Sequence, residues 1–367
     1  MVAISEVAQR AGVSKMSVSR VLNNSPLVTE ATRQRVLKAM AELNYTPSAA
    51  ARSLKRGRSK LIGVLLPASN NPIYNRYIDG IKDTAYAAGY SVVLCKTGSG
   101  HAGAAHVLRL LREQRVPGVI LLSCQAWQAH LLALRHVGVS VVSIDHRAPG
   151  CDQVTLDNVV AIGCAVEHLA GLGHRRIGMI TGPLHIRSER ERLIGYRRAV
   201  RHHGLPLERR WQVVAADFSD DGGIAAANVL LRGGDRPSAL IVSSSALTPG
   251  VLVAIGAANL RVPEDLALVG VGEMSWTPTL VSPITSLVEP AYQMGADACR
   301  LLLGRLAEHE AGPPRRLSYP ARLAVRLSCG APPALRDVPL HSPHSLLFYS
   351  AALAWSDGQD GRAATAQ

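Results

Sequence analysis

The sequence predicts an α/β protein in three parts: a short helical head, a basic linker, and two lobes that are each a doubly wound parallel sheet. Three observations carry this. Residues 4–45 place apolar side chains at helical spacing. From residue 61 onward, continuous apolar runs alternate with amphipathic segments, as in strands covered on both faces by helices. Eight such runs are more than one compact sheet needs, so two lobes are expected.

The head reads as three short helices. Ile4, Val7, Ala8 and Ala11 share one helical face, and Gly12 breaks that helix. Ser14 is placed to cap the next, its hydroxyl taking an orphan backbone N–H. There Val18, Val21 and Leu22 face inward, which leaves Lys15, Met16, Ser17 and Arg20 pointing out. Thr29 caps a third helix whose inner face is Val36, Leu37, Met40 and Leu43, and Pro47 stops it. Residues 47–60 follow as a linker rich in Lys and Arg with too little apolar surface to fold alone; it becomes helical only against a partner.

Strands are expected at 61–66, 90–95, 116–123, 139–145, 176–182, 211–216, 238–244 and 266–272. Helices are expected between them, at 76–88, 103–115, 159–172 and 190–203 among others. A cleft between lobes, at the carboxyl ends of the strands, is a natural small-ligand site. The tail, 331–367, is rich in Pro, Ser and Gly and reads as disordered.

Charge placement narrows the function. Of the formal +13, residues 1–60 carry +8, from eleven Lys and Arg against three acids. A local excess of this kind suits a polyanion partner. The six cysteines form no CxxC pair and read as idle thiols; the histidines offer no HExxH, so no metal or other cofactor is expected. No run of about 18 apolar residues exists to span a bilayer. With no signal-like start, a cytoplasmic protein without membrane partners is expected. "GSGHAG" at 98–103 has the form of a dinucleotide fingerprint but follows the second strand and lacks the acid expected about 20 residues on, so it is taken as coincidence. "SSS" at 243–245 lacks a nucleophile elbow, and no general acid–base constellation is visible, so no enzyme is expected.

The chain resembles the LacI/GalR family of bacterial transcription regulators. The likeness rests on "ISEVAQRAGVSKMSVSRVLNNSPLVTEATRQRV", "LNYTPSAAARSL", "IGVLLP", "NNPIY", "VPGVILLS", "VVSIDHR", "HLAGLGHRRIGMITG", "RLIGYRRAV" and "VPEDLALVG", in that order. It implies a helix-turn-helix domain at 1–46, a hinge helix at 47–60, and a periplasmic-binding-protein-like sensor of type I at 61–330. It also implies a repressor that binds palindromic double-stranded operator DNA as a homodimer, or a tetramer, under control of a small-molecule effector, a sugar or a sugar acid. The alternatives are a solute-binding sensor without a DNA role and a nucleotide-using enzyme. By motif position, Lys15, Met16 and Arg20 match base-reading positions with Ser17 beside them, and Ser5, Ser14, Asn23 and Thr32 match phosphate contacts. Leu54 matches a leucine that wedges into the minor groove, with Ala51 beside it.

In the sensor, Tyr74, Asp145, Arg192 and Phe218 match effector-binding positions, Arg192 as the receptor for ligand hydroxyls or carboxylates. Two positions depart from the family pattern. Ser244–Ser245 stands where the family has Asn-Asp, and Gly272–Glu273 where it has an acid pair. Losing carboxylates there fits two readings: an anionic effector, with Arg192, and Arg187 or Arg190, supplying the charge, or a degenerate pocket that binds something else or nothing. Ala3 stands where the family has a capping Thr.

Overall fold

The computed structural model describes residues 2–22, 25–45, 58–67, 71–96, 101–122, 134–136, 138–146, 148–232, 234–274, 276–308, 312–336 and 339–340. Asn23, Ala51, Leu54 and the tail from 341 lie outside the described residues. The chain divides into two compact units. The first is residues 1–60 with 112–116, and the second is the remainder.

The first unit contains α1 (Ile4–Ala11), α2 (Lys15–Leu22) and α3 (Glu30–Glu42). Their core is Val7, Ala8, Ala11, Val18, Val21, Val36 and Ala39, with Ile4, Leu22, Met40 and Leu43 packed against it. One expected core residue is not there: Leu37 is exposed and Ala39 takes the inward position, because α3 turns a narrower stripe toward its two short neighbours. The expected caps form. Ser14 Oγ accepts from Ser17 N at 3.1 Å, and Thr29 Oγ1 accepts from Thr32 N at 3.4 Å. At α1 only half of a reciprocal cap exists: Glu6 accepts from Ala3 N at 3.0 Å, and Ala3 has no side-chain oxygen to return the bond.

The second unit holds two sheets. The first lobe is built from β1 (Leu61–Leu66), α4 (Ile73–Ala87), β2 (Ser91–Lys96), α5 (His101–Glu113), β3 (Gly118–Leu122), β4 (Ser140–Ile144) and β5 (Asp152–Leu156). The chain then crosses to the second lobe for α6 (Asn158–Gly171), β6 (Ile177–Thr181), α7 (Arg187–His202), β7 (Gln212–Val214), α8 (Asp220–Leu231), β8 (Ala239–Val242), α9 (Thr248–Ala257), β9 (Ala267–Val271) and β10 (Thr285–Val288). It returns for α10 (Ala291–Glu308) and β11 (Arg316–Tyr319), then crosses a third time to β12 (Arg322–Ala324) and β13 (Pro339–Leu340). The sheet orders are β11-β5-β4-β3-β1-β2, all parallel, and β13-β12-β10-β9-β8-β6-β7, parallel except at β12 and β13.

The three crossings place Asn158, Glu289 and Ala321 at the joint between lobes. Where α4 meets α10 the backbones touch. A Cβ on Gly80 would lie 2.0 Å from Tyr292 O, and one on Gly295 would lie 2.2 Å from Tyr77 O. Only glycine at both positions lets α4 bring Tyr77 this close to the crossing. The tail expected to begin at 331 is folded in its first part: Ala331 and Leu335 are buried in the second lobe's core, and β13 pairs with β12.

Candidate nucleic-acid and effector sites

In the first unit, the outward face of α2 carries Lys15, Met16 and Arg20, all exposed. Met16 is 64% exposed, although apolar, because the inward positions belong to Val18 and Val21. Neither Lys15 nor Arg20 has an ion-pair partner among the described residues. Ser17 is bonded to Ser14, hydroxyl to hydroxyl, at 3.0 Å. Ser5 and Thr32 are half-buried near helix starts, where the positive end of the helix dipole suits an anion, although the Thr32 N–H and hydroxyl are engaged by Thr29. An exposed helix face with two unpaired cations and an apolar residue between them can meet phosphates, guanine edges and a thymine methyl.

In the second unit, the strand carboxyl ends and the crossings assemble a buried polar network between the lobes, with Arg192 of α7 at its centre. Its Nε donates to Asn158 Oδ1 at 2.8 Å, Nη1 to Glu189 Oε1 at 3.1 Å and to Ser243 O at 2.7 Å, and Nη2 to Glu289 Oε1 at 2.9 Å. Glu289, at the second crossing, also meets the Tyr77 hydroxyl at 3.1 Å, and that hydroxyl lies 3.2 Å from Asp145 Oδ2. Asp145 Oδ1 accepts from Leu156 N at 2.9 Å. Glu189 is fixed by Gly182 N at 2.8 Å and by the Ser243 hydroxyl. Tyr77 and Asp145 belong to the first lobe, and Arg192 and Glu189 to the second, so the network bridges the cleft. Asn71 and Ser245 bridge it again, Ser245 Oγ to Asn71 Oδ1 at 3.1 Å.

Burial sets the electrostatics. It pushes the carboxyls of Asp145 and Glu289 up, with Arg192 opposing. Burial, then Asp145 and Glu289, push the Tyr77 hydroxyl well up. Burial alone would lower Arg192, but Glu189 and Glu289 more than reverse it, so it stays charged. His146, next to Asp145, is held down by burial and then by Arg187, and stays neutral at pH 7. Among the described residues its Nε2 has no hydrogen-bond partner, nor has Thr181 Oγ1; both are buried at the carboxyl ends of strands.

Of the residues singled out in the sequence, Asp145 and Arg192 meet in this network. Tyr74 is half-buried on α4, at the edge of the first lobe's core. Phe218 lies over Gly182, its ring 2.3 Å from where a Cβ would stand. Ser244 is occupied in starting α9: its carbonyl accepts from Thr248 Oγ1 at 3.3 Å and its hydroxyl from Ala246 N at 3.3 Å. Its neighbour Ser245 makes the contact across the cleft. Gly272 has φ +80°, and a Cβ there would lie 3.0 Å from Ser245 Oγ, so the two departures from the family pattern fit each other. Glu273 is held by Arg326 and is not among the partners of Arg192. Arg187 pairs with Glu191 at 2.5 Å, and Arg190 donates to Leu184 O at 2.7 Å and His185 O at 3.0 Å. Sequence reasoning missed Tyr77, Asn158, Glu189 and Glu289, and named Ser245 only as a departure from the family pattern. Glu189 offered a signal, an acid one turn before Arg192; the others come together only through the three crossings.

A helical head with a free cationic face, followed by a two-lobed sensor with a polar cleft, defines a ligand-responsive DNA-binding regulator. The comparisons agree. The description "Bacterial regulatory proteins, lacI family" matches residues 3–48, and "Periplasmic binding protein-like domain" matches residues 166–329. The ribose operon repressor of Escherichia coli is 36% identical over 312 residues, 84% of this chain and 94% of that protein. The HTH-type transcriptional repressor PurR of Photobacterium profundum is 33% identical over 313 residues, 84% of this chain and 93% of that one. Among solved structures, the lac repressor dimer bound to operator and the anti-inducer ONPF superposes with TM-score 0.79 at 28% identity, covering 89% of this chain and 99% of that one. The transcriptional regulator CelR–cellobiose complex gives TM-score 0.68 at 30% identity, covering 89% and 100%. The chain belongs to the LacI family of bacterial regulatory proteins.

Proposed function

We propose that the chain is a cytoplasmic transcriptional repressor that binds a palindromic operator as a homodimer and releases it when an effector occupies the cleft. The observation that carries this reading is the exposed face of α2, whose cations have no ion-pair partner among the described residues, in the first 60 residues, which carry +8 of the chain's net +13. Lys15 and Arg20 read guanine edges or hold phosphates, and Met16 meets a thymine methyl. Ser5, Ser14, Ser17 and Thr32 position the head on the backbone, together with Asn23, while Ala51 and Leu54 serve the minor groove. Dimerisation is supported by apolar exposure at the free edge of the first sheet: Tyr86 on α4 is 82% exposed, and Leu94 on the neighbouring edge strand β2 is 52% exposed.

Effector binding falls to the network around Arg192, because it joins the lobes whose closure would be coupled to the head. The Ser243 hydroxyl donates to the Glu189 carboxylate, which is itself paired with Arg192, so this serine belongs to the network that joins the lobes. The test is a gel shift of the purified chain on DNA upstream of its own coding sequence, across a salt series. A sequence-specific shift by a dimer that weakens steeply with salt is expected. No specific shift at moderate salt would remove the reading.

A further inference from the structure

The cleft network contains more negative charge than it can satisfy, and this points to what enters it. Glu189 and Glu289 have buried carboxylates paired with one guanidinium, and the half-buried Asp145 adds a third negative charge that acts on it through space. The nearby Arg187–Glu191 pair is neutral overall, and His146 carries no charge at pH 7. Donors are also short. The Tyr77 hydroxyl has a single proton, yet carboxylate oxygens of both Asp145 and Glu289 lie within hydrogen-bond distance of it, at 3.2 and 3.1 Å. One of the two is left facing the phenol oxygen without a proton between them. Burying an unpaired carboxylate costs several kcal/mol. A proton or a cation must therefore be present. Among the described residues no group of His, Cys, Asp and Glu is arranged to hold a metal ion.

Arg192, for its part, is not an anion receptor. Four of its five N–H groups already donate to Asn158, Glu189, Ser243 and Glu289. The one that remains cannot make the two-pronged grip that carboxylates and phosphates take from arginine. This reverses the expectation of an anionic effector. Two neutral polar atoms, His146 Nε2 and Thr181 Oγ1, are buried without hydrogen-bond partners among the described residues, at the strand ends that bound the cleft. They suit hydroxyl groups on a ligand.

We propose that the effector is a hydroxylated amine, whose protonated nitrogen lodges between Asp145 and Glu289 at Tyr77. The ammonium supplies the missing donor and the missing positive charge in one group, and its hydroxyls reach His146 and Thr181. This inference rests on the reading of the cleft as the effector site.

The experiment is calorimetry and thermal shift on the full chain with three matched sets: glucosamine, galactosamine and mannosamine, each against its neutral sugar and its aldonic acid. At least one amine is expected to bind, at least tenfold more tightly than its neutral and acidic counterparts. Glu289→Gln and Asp145→Asn should each weaken that binding tenfold or more. If either variant misfolds, the wild-type affinity read from pH 7.5 to pH 5 replaces it and should fall as the carboxylates take protons. Tighter binding of an aldonic acid, or no binding of any amine in the set, overturns the proposal. The gel shift is read separately. Failure of specific DNA binding removes the repressor reading and leaves the amine result standing on its own.

Discussion

The reader helix and the cleft treat their functional side chains in opposite ways. On α2, Lys15 and Arg20 are exposed with no ion-pair partner among the described residues, and Met16 stands in solvent between them. In the cleft, Arg192 is buried and spends four N–H groups on the protein's own acceptors. The difference follows from where each charge sits. An exposed cation keeps its hydration until a polyanion arrives, so leaving it unpaired costs little. A charge at the joint of two lobes has lost its water and must be paired within the fold. The first site is ready-made for its partner. The second must exchange internal bonds for those of an effector, and that exchange gives a ligand leverage over lobe arrangement.

The largest expected effect tests this contrast directly. Arg192→Leu leaves Glu189 and Glu289 buried without their cation and should cost about 3–5 kcal/mol of stability in urea unfolding at pH 7. The loss should shrink toward pH 5, because burial has already raised the carboxyls of Asp145 and Glu289 and protonation relieves them. Lys15→Ala should change stability by less than about 0.5 kcal/mol. Equal losses in the two variants would break the comparison.

A second effect separates structural burial from the cleft. His168 of α6 is buried with Nε2 3.2 Å from Cys329 Sγ. Burial, then His174, lower its pKa from 6.5 to about 4. The unfolded chain therefore binds the proton first. The contribution is whole above pH 6.5 and is lost as pH falls toward 4, by up to about 3 kcal/mol. Asp145 and Glu289 act in the opposite sense, so the measurement is the difference between wild type and His168→Gln in unfolding midpoints from pH 7.5 to 4.5. A difference independent of pH would show that His168 is not the group that titrates.

The same contrast explains what the sequence made legible. The head follows from local rules: period, caps and one broken face put Val18 and Val21 inside and Lys15 and Arg20 outside. Six of the eight apolar strands were equally plain because both of their faces are covered, and the edge strands β2 and β7 were legible from their apolar runs although part of each is exposed. The strands missed, such as β5 with Asp152 and Gln153 and β11 with Arg316, are polar because they sit at or near a sheet edge and are pinned by charge. Asp152, for instance, is held by Arg305 at 2.7 Å and Arg315 at 2.8 Å. The cleft was half legible. Arg192 and Asp145 stand in recognisable motifs, but their role changed once Glu289 was found beside them. Glu289 lies 97 residues from Arg192 in the chain, and only the second crossing brings them to 2.9 Å. No periodicity encodes that.

On the reader side, Arg20→Ala should weaken specific operator binding by about 1–3 kcal/mol if the guanidinium reads a base edge. Non-specific binding at the same salt should change far less. A uniform loss across operator and unrelated DNA, with a salt slope lower by about one, would instead make Arg20 a phosphate contact. Either result sharpens the first half of the comparison, since both require the side chain to be free before DNA arrives.

The smallest effect concerns how firmly the head itself is held. Ala3 has the extended backbone of an N-cap, φ −91° and ψ 155°, but no oxygen to accept from the first turn. Glu6 already returns its carboxylate to Ala3 N at 3.0 Å. Ala3→Thr completes the reciprocal cap with no other rearrangement and should stabilise α1 by about 1 kcal/mol. Hydrogen exchange of the α1 amides should slow accordingly. Because α1 and α2 share the core built on Val7 and Val18, a tighter α1 also fixes the frame from which Lys15 and Arg20 project. Operator affinity should then rise slightly while effector affinity in the cleft stays the same. A shift in effector affinity would mean that head stability is coupled to the Arg192 network, and the two sites would no longer be separable in the way their burial suggests.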